Sequence, residues 1–384
     1  MLVKDCILTN QSPVKKLNIY NFRNIKNLCF CPGKGLNIIY GDNARGKTNL
    51  IESIWMFTGE KSFRKAKESQ LILFGEKNAR LDLEFFAESR IQNSTIKFIP
   101  QKEIFLNKCK IEKLMDFIGI FTSIVFSPED LTLIKGGPQR RRNFLNVAIS
   151  QVKPKYSKLM LEYTKILIQR NALLKDIFKY HSLLETLDVW DTVFIKIAAS
   201  ITKYRLKYIK ALLPIVKEIY GKITEKKEKL EIKYVTSINL PIDIDFEELV
   251  NYFTKKIISN RNIDIKMGYT QFGPHRDDFD ITINNLIAKN FASQGQQRSI
   301  VLALKLAEAE ILKNLANKNP VILLDDVMSE LDSNRKKYIL DSLKNSQCFI
   351  TCCDKAYFKN VTCENEMVLY KIDDLIDNKN FTVV

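Results

Sequence analysis

The chain has 384 residues, 46% hydrophobic and 27% charged, enough for one large or two ordinary domains with buried cores, which excludes a disordered polymer. Lys and Arg number 60 against 44 Asp and Glu, and the formal net charge of +16 favours a polyanionic partner, nucleic acid or an anionic membrane surface. The plain alternative is a lysine-rich solvated surface. No apolar run reaches the roughly 18 residues that span a bilayer, and residues 1–13 lack the apolar core of a secretory signal. The eight cysteines form no C-x-x-C pair and stand beside only two histidines, so zinc-ligand spacing is missing. A reduced, cytoplasmic protein without a membrane partner is the expectation.

Residues 1–13 read as an extension before the first strand. Residues 16–24 alternate and end in a polar, basic run that includes Arg23 and Asn24. After a Pro-Gly turn, Leu36, Ile38 and Ile39 mark a buried strand. It runs into Gly41-Asp42-Asn43-Ala44-Arg45-Gly46-Lys47-Thr48, which reads G-x-x-x-x-G-K-T. An apolar helical stretch, residues 49–55, follows. Strand, glycine-bearing loop and helix are the context in which such a loop cradles phosphates. Its glycines let backbone N–H groups close on phosphate oxygens, the helix start adds positive potential, Lys47 reaches the β- and γ-phosphates, and the Thr48 hydroxyl is placed for Mg²⁺.

Residues 61–67 form a basic loop carrying Arg64 and Lys65. Residues 79–86 alternate at period two and residues 94–100 less cleanly, which predicts an antiparallel β-layer. Residues 121–126 predict a buried strand. Arg140, Arg141 and Arg142 stand just inside a predicted helix start, after Gly137-Pro138. Each alone reads as a solvated helix face; as a cluster they suit phosphates of nucleotide or DNA. Apolar residues then recur at helical spacing over residues 155–177, and again from Trp190 to Leu212, where Pro214 marks an end or a kink. Two helices of about 25 residues, about 37 Å each, predict a short helical arm. Residues 222–229 read as a charged connector, 230–239 as a strand, and 245–260 as a helix.

Three patterns close the chain. Ser293-Gln294-Gly295-Gln296-Gln297-Arg298 precedes an apolar helix, and suits either a phosphate contact or ordinary helix capping by Ser293. Residues 321–324 form a continuous apolar strand that ends in Asp325-Asp326. Carboxylates at the C-terminal end of such a strand are placed for Mg²⁺, by Asp325, and for the attacking water, by Asp326. Residues 347–353 read as a last core strand. Asp277, Asp278 and Asp280 beside His275 offer a loose metal cluster, but Gly273-Pro274 marks a tight turn and favours a structural or interface role.

Phosphate loop, Ser-Gly-Gln loop, acidic strand and the following Ser329-Glu330-Leu331-Asp332, in this order, resemble the ABC-type ATPase heads of the SMC family and its DNA-repair relatives. More narrowly, residues 21–24, 41–49, 127–131, 137–145, 273–278, 293–298 and 323–332 resemble the RecF-type family of recombination mediators. The resemblance implies an α/β fold: an ABC-ATPase head with a mixed sheet, a P-loop and an antiparallel β-layer, plus an inserted, mainly helical lobe with a short arm. The head is expected from residues 1–115 with 262–384, and the inserted lobe from 116–261. It implies ATP and Mg²⁺ as cofactors. Arg23, Asn24 and residues 41–48 would bind nucleotide, Ser293 and Gln296 the γ-phosphate of the opposite subunit, and Asp332 would belong to the dimer interface. It also implies DNA binding, for which Arg64, Lys65 and Arg140 to Arg142 are the candidates. An ATP-dependent homodimer, slow hydrolysis, and RecA loading at single-strand gaps with RecO and RecR complete the expectation. The rival readings are a transporter ATPase subunit, which the long interval between Thr48 and Ser293 disfavours, and a chromosome-organising head, which needs longer heptad coils. The chain departs from most ABC ATPases in ending its acidic strand Asp-Asp, in lacking a glutamine after residues 121–126, and in having Thr351 where a switch histidine stands.

Overall fold

The computed structural model describes residues 13–99, 101–177, 179–236, 243–343, 345–358 and 366–376. The extension expected at residues 1–13 lies outside the described residues except for Pro13. The chain divides into two compact units, residues 1–130 with 308–384, and 131–307.

The first unit holds two sheets. The antiparallel one runs β2-β1-β4-β5-β6-β7. Its strands are β1 (Val14–Phe22), β2 (Ile25–Phe30), β4 (Ala79–Ala87), β5 (Arg90–Phe98), β6 (Lys102–Leu106) and β7 (Cys109–Lys110). β4 buries Leu81, Leu83 and Phe85 on one face, as its period-two pattern requires.

The second sheet is parallel, in the order β14-β3-β13-β12-β8. It contains β3 (Leu36–Tyr40), β8 (Ser123–Phe126), β12 (Val321–Asp325), β13 (Cys348–Cys352) and β14 (Met367–Lys371). Every residue of β8, β12 and β13 is buried, so these strands are apolar runs without alternation. Helices α1 (Lys47–Trp55), α9 (Ser333–Ser342) and α10 (Ile372–Ile376) complete this unit.

The second unit contains α2 (Thr132–Lys135), α3 (Pro138–Val152), α4 (Lys155–Ile177), α5 (Leu184–Ile223), β9 (Leu230–Val235), α6 (Phe246–Met267), β10 (Asp278–Ile283), β11 (Leu286–Ile287) and α7 (Ala288–Phe291). Helix α8 (Gln294–Ala316) begins in this unit and ends in the first. The strands form a small sheet, β11-β10-β9. α6 starts where expected, on the capping box of Asp245 and Glu248, and runs past the end expected at 260 to stop at Gly268 in the left-handed conformation. A buried ionic knot joins its long helices. Arg170 on α4 donates to Asp191 on α5 at 2.7 Å and to Asp264 on α6 at 2.9 Å.

Two expectations need correction. The unit boundaries fall at 130 and 307 rather than 115 and 261. β8 belongs to the parallel sheet through its pairing with β12, and β10 is tied to β9, which keeps residues 262–307 in the second unit. Of the end or kink expected at Pro214, the end does not occur. α5 runs 40 residues, about 60 Å if straight. An interior proline costs about 3 kcal/mol. Leu212, Val216, Ile219 and Tyr220 are all buried around it, and such side chains recover about 1.5–3 kcal/mol each, so packing outweighs the lost hydrogen bond.

Candidate functional site

The phosphate loop turns where its residues allow it. Gly41 has φ +144° and Gly46 φ +105°, the region that disfavours a side chain. A Cβ on Gly41 would meet Ile372 Cγ2 at 2.7 Å, so that position is closed to other residues on steric grounds as well. Lys47, in the first turn of α1 and nearly buried, donates to the carbonyls of Gly41 and Asp42, both at 2.7 Å. Its ammonium is thereby held at the loop. Arg45 points outward and stands 3.6 Å from Asp373.

β13 separates β3 from β12, so the phosphate loop and the acidic pair leave the sheet two strands apart at the same edge. Thr48 bridges that interval by donating to Asp325 Oδ1 at 2.8 Å. From β13, the Thr351 hydroxyl donates to the same oxygen at 2.8 Å and accepts the Asp326 N–H at 3.0 Å. Burial pushes the Asp325 carboxyl up from its ordinary range, and the two hydroxyls pull it back. Asp326 follows at φ +52°, a left-handed position that Asp tolerates. It turns out of the strand and lines the cleft above the loop. The Thr48 hydroxyl and Asp325 carboxylate are hard oxygen donors at hydrogen-bond distance from one another, a set that fits Mg²⁺.

Arg23 and Asn24, at the end of β1, close the other side. Arg23 makes a two-pronged contact with Glu52 at 2.9 and 2.8 Å. Glu52 is fully buried on α1 and also accepts from the Ser62 hydroxyl. Asn24 donates to the Ala44 carbonyl at 3.0 Å and accepts from Asn49 at 2.6 Å. Arg64 donates to Asn49 Oδ1 at 2.9 Å. A cleft of about 1020 Å³ is lined by Arg23, Asn24, Asn43, Ala44, Lys47, Thr48, Arg64 and Asp326, among others. Asn49, Glu52 and Ser62 are residues that sequence reading passes over. The available signal is Glu52 itself, an acid among the apolar residues of α1.

In the second unit, Ser293 and Gln296 engage each other. The Ser293 N–H donates to Gln296 Oε1 at 2.8 Å, and the Gln296 N–H to Ser293 Oγ at 3.2 Å. This is a capping arrangement at the start of α8, and Gln296 Nε2 also donates to Glu228 at 2.9 Å. Ser293 remains exposed. Asp332 caps α9 by accepting from the Arg335 N–H at 2.9 Å.

The arginine cluster divides. Arg141 is a correction: its side chain is 7% exposed, pairs with both oxygens of Asp278 at 2.7 Å, and donates to the Gly136 carbonyl at 2.9 Å. A guanidinium so committed has no face left for a nucleic-acid phosphate. Arg142 donates to the Asp277 carbonyl at 2.8 Å and remains partly open, as does Arg140. Lys65 is exposed, 4.0 Å from Glu129. The acidic run is likewise structural. Asp277 is buried and accepts from Tyr234 at 2.7 Å, Asp278 holds Arg141, and only Asp280 is exposed.

A phosphate loop, an acidic strand and a threonine hydroxyl between them on one parallel sheet define an ATPase head of the ABC type, in its SMC-like class. The family model of the RecF/RecN/SMC N terminal domain matches residues 13–374. Similarity to the DNA replication and repair protein RecF of Acetivibrio thermocellus is 40% identity, over 90% of this chain and 95% of that one. For the RecF of Clostridium perfringens it is 39%, over 94% and 99%. The solved structure of the recombination mediator protein RecF-ATPrS in the RecFOR pathway matches with a TM-score of 0.86 and 35% identity, over 95% of this chain and 98% of that one. An Smc head domain from Pyrococcus furiosus matches at 0.53 and 17%, a likeness of fold alone. The chain belongs to the RecF family. Among the described residues no helix is long and apolar enough to cross a membrane.

Proposed function

We propose that this chain is a cytoplasmic, ATP-switched DNA-binding protein of recombinational repair and replication. The observation that carries the reading is the Thr48–Asp325 contact at 2.8 Å, which joins the phosphate loop to the acidic strand in a chain of the RecF family. Residues 41–48 hold the triphosphate, with Lys47 supplying positive charge to the β- and γ-phosphates. Thr48 and Asp325 would hold Mg²⁺, which when bound neutralises developing phosphate charge. Asp326 orients the attacking water and takes its proton. A carboxylate one methylene shorter than glutamate reaches less far toward that water, which suits slow turnover.

Two copies then share each nucleotide. Ser293 and Gln296 of one copy contact the γ-phosphate on the phosphate loop of the other, so the dimer senses ATP. Hydrolysis removes the shared contacts and favours separation, a population shift driven by differential affinity. DNA is bound at single-strand gaps or junctions while ATP is present, with Arg64 and Lys65 in the first unit and Arg140 and Arg142 in the second as the candidate phosphate contacts. RecR and RecO are the partners with which it assists RecA loading. The test is binding to a gapped duplex with and without ATP at two salt concentrations, for the native chain and Lys47→Ala. The reading expects ATP-dependent, salt-sensitive binding that the variant loses. Binding indifferent to nucleotide would overturn it.

A further inference from the structure

The wall of the nucleotide cleft contains a side chain that none of the preceding chemistry uses. Phe74 is 101% exposed, the most exposed large apolar residue among the described ones. It is nonetheless held in place. The segment before it is stitched to the end of β1, with the Arg23 N–H donating to the Leu71 carbonyl and the Leu73 N–H to the Asn21 carbonyl, both at 2.8 Å. The Arg23 guanidinium adds a bond to the Gln70 carbonyl at 3.2 Å. A turn follows, closed by the Glu76 N–H on the Leu73 carbonyl at 3.0 Å. Its third residue, Gly75, has φ +87°, the conformation a type II turn needs there. Phe74 is the second residue of that turn, and it projects from a fixed backbone into solvent.

Ile72, Leu73, Phe74 and Gly75 line the same cleft as Lys47, Thr48 and Asp326. Among the described residues that line it, Phe74 is the only aromatic. The loop and the acidic pair supply everything a triphosphate needs and nothing that recognises a base. A base needs a flat apolar face, which an exposed, backbone-anchored phenyl ring provides. We infer that Phe74 is the stacking platform for the purine base of the bound nucleotide, and so the residue that separates a nucleoside triphosphate from bare triphosphate. The inference rests on the proposed ATP binding. It gives Arg23 a second task, since the same side chain that braces α1 through Glu52 also anchors the segment presenting the ring.

The experiment measures equilibrium binding of ATP and of inorganic tripolyphosphate, with Mg²⁺, to the full chain at concentrations where it is monomeric. Phe74→Ala should weaken ATP by about tenfold, the usual effect of one lost base–aromatic stack, and leave tripolyphosphate unchanged. Phe74→Trp should restore ATP affinity, and its fluorescence should be quenched by ATP but not by tripolyphosphate. Three results overturn the inference: unchanged ATP affinity in Phe74→Ala, equal loss of both ligands without rescue by Trp, or an effect confined to dimerisation. Failure of the native chain to bind ATP would instead remove the reading on which it rests, and the inference with it.

Discussion

Thr48 and Asp325 stand 277 positions apart in sequence and meet at 2.8 Å, hydroxyl to carboxylate. The same carboxylate oxygen accepts from Thr351, so two hydroxyls, one from helix α1 and one from strand β13, fix one carboxylate oxygen. Thr351 lines the cleft with its bonds committed to the acidic pair, donating to Asp325 and accepting the Asp326 N–H, so its task is to aim both. Thr351→Val should leave nucleotide affinity without metal unchanged and shift the Mg²⁺ dependence of hydrolysis by about 10- to 100-fold, the scale of an outer-shell partner. Steady-state hydrolysis across a Mg²⁺ titration checks this. Superimposable curves would reduce Thr351 to a strand residue.

Lys47 and Asp326 should separate binding from chemistry. Lys47→Ala is expected to abolish ATP binding and ATP-dependent dimerisation. Asp326→Asn is expected to bind ATP as the native chain does, to hydrolyse it about 10²- to 10⁴-fold more slowly, and to prolong the dimer. Single-turnover hydrolysis beside sedimentation analysis reads both. Native turnover by Asp326→Asn would remove that residue from the reaction.

Arg140 and Arg141 are neighbours in sequence with opposite expected phenotypes. Arg141→Ala strands Asp278 without its partner and should cost about 3 kcal/mol of stability, the low end for breaking a buried pair because Asp278 keeps some solvent. Arg140→Ala should leave stability within about 0.5 kcal/mol and lower the salt slope of DNA binding by about one. Urea unfolding and salt-dependent binding isotherms distinguish the two. Equal stability of both variants would contradict the burial of Arg141.

His275 makes stability depend on pH. Its Nε2 faces the Thr270 carbonyl at 3.1 Å and must carry the proton, while Nδ1 lies 2.5 Å from the Tyr163 hydroxyl and accepts from it. Burial, with Arg276, Arg142 and Arg170 nearby, lowers the histidine to about 4 from its ordinary 6.5. A depressed folded value means the unfolded chain binds more protons between those limits, so stability falls as pH drops from about 6.5 toward 4. Asp277 works oppositely: burial raises it to about 6, which favours the folded state as pH falls through that value. His275→Gln should therefore remove on the order of 2 kcal/mol of acid destabilisation and expose the Asp277 trend. Urea midpoints at pH 7 and pH 5 test it, and an unchanged midpoint difference would rule the histidine out.

What the sequence made legible was whatever its neighbours in the chain define. The phosphate loop, the strand before it and the helix after it are one continuous string, and α4 matches its apolar periodicity from Lys155 to Ile177. Asp325-Asp326 could be placed because a continuous apolar strand announces its own end. Arg141 could not, because only the fold brings Asp278 against it across 137 positions. β14 escaped because it is a half-exposed edge strand without a clean pattern. At Pro214 local propensity left an end or a kink open, and tertiary burial around it carries α5 through. Phe74 belongs to no pattern in the sequence, and only the turn that places it in the cleft wall marks it.

The strand order has a consequence for tolerance to change. Because β13 lies between β3 and β12, the interval from phosphate loop to acidic pair is two inter-strand spacings, about 9.6 Å. That gauge is set by backbone hydrogen bonds common to any sequence, and not by the length of any side chain. Loops around the cleft can therefore drift in composition without recalibrating the distance between its two halves. A residue in β13 that altered strand spacing would miscalibrate both at once, though it touched neither.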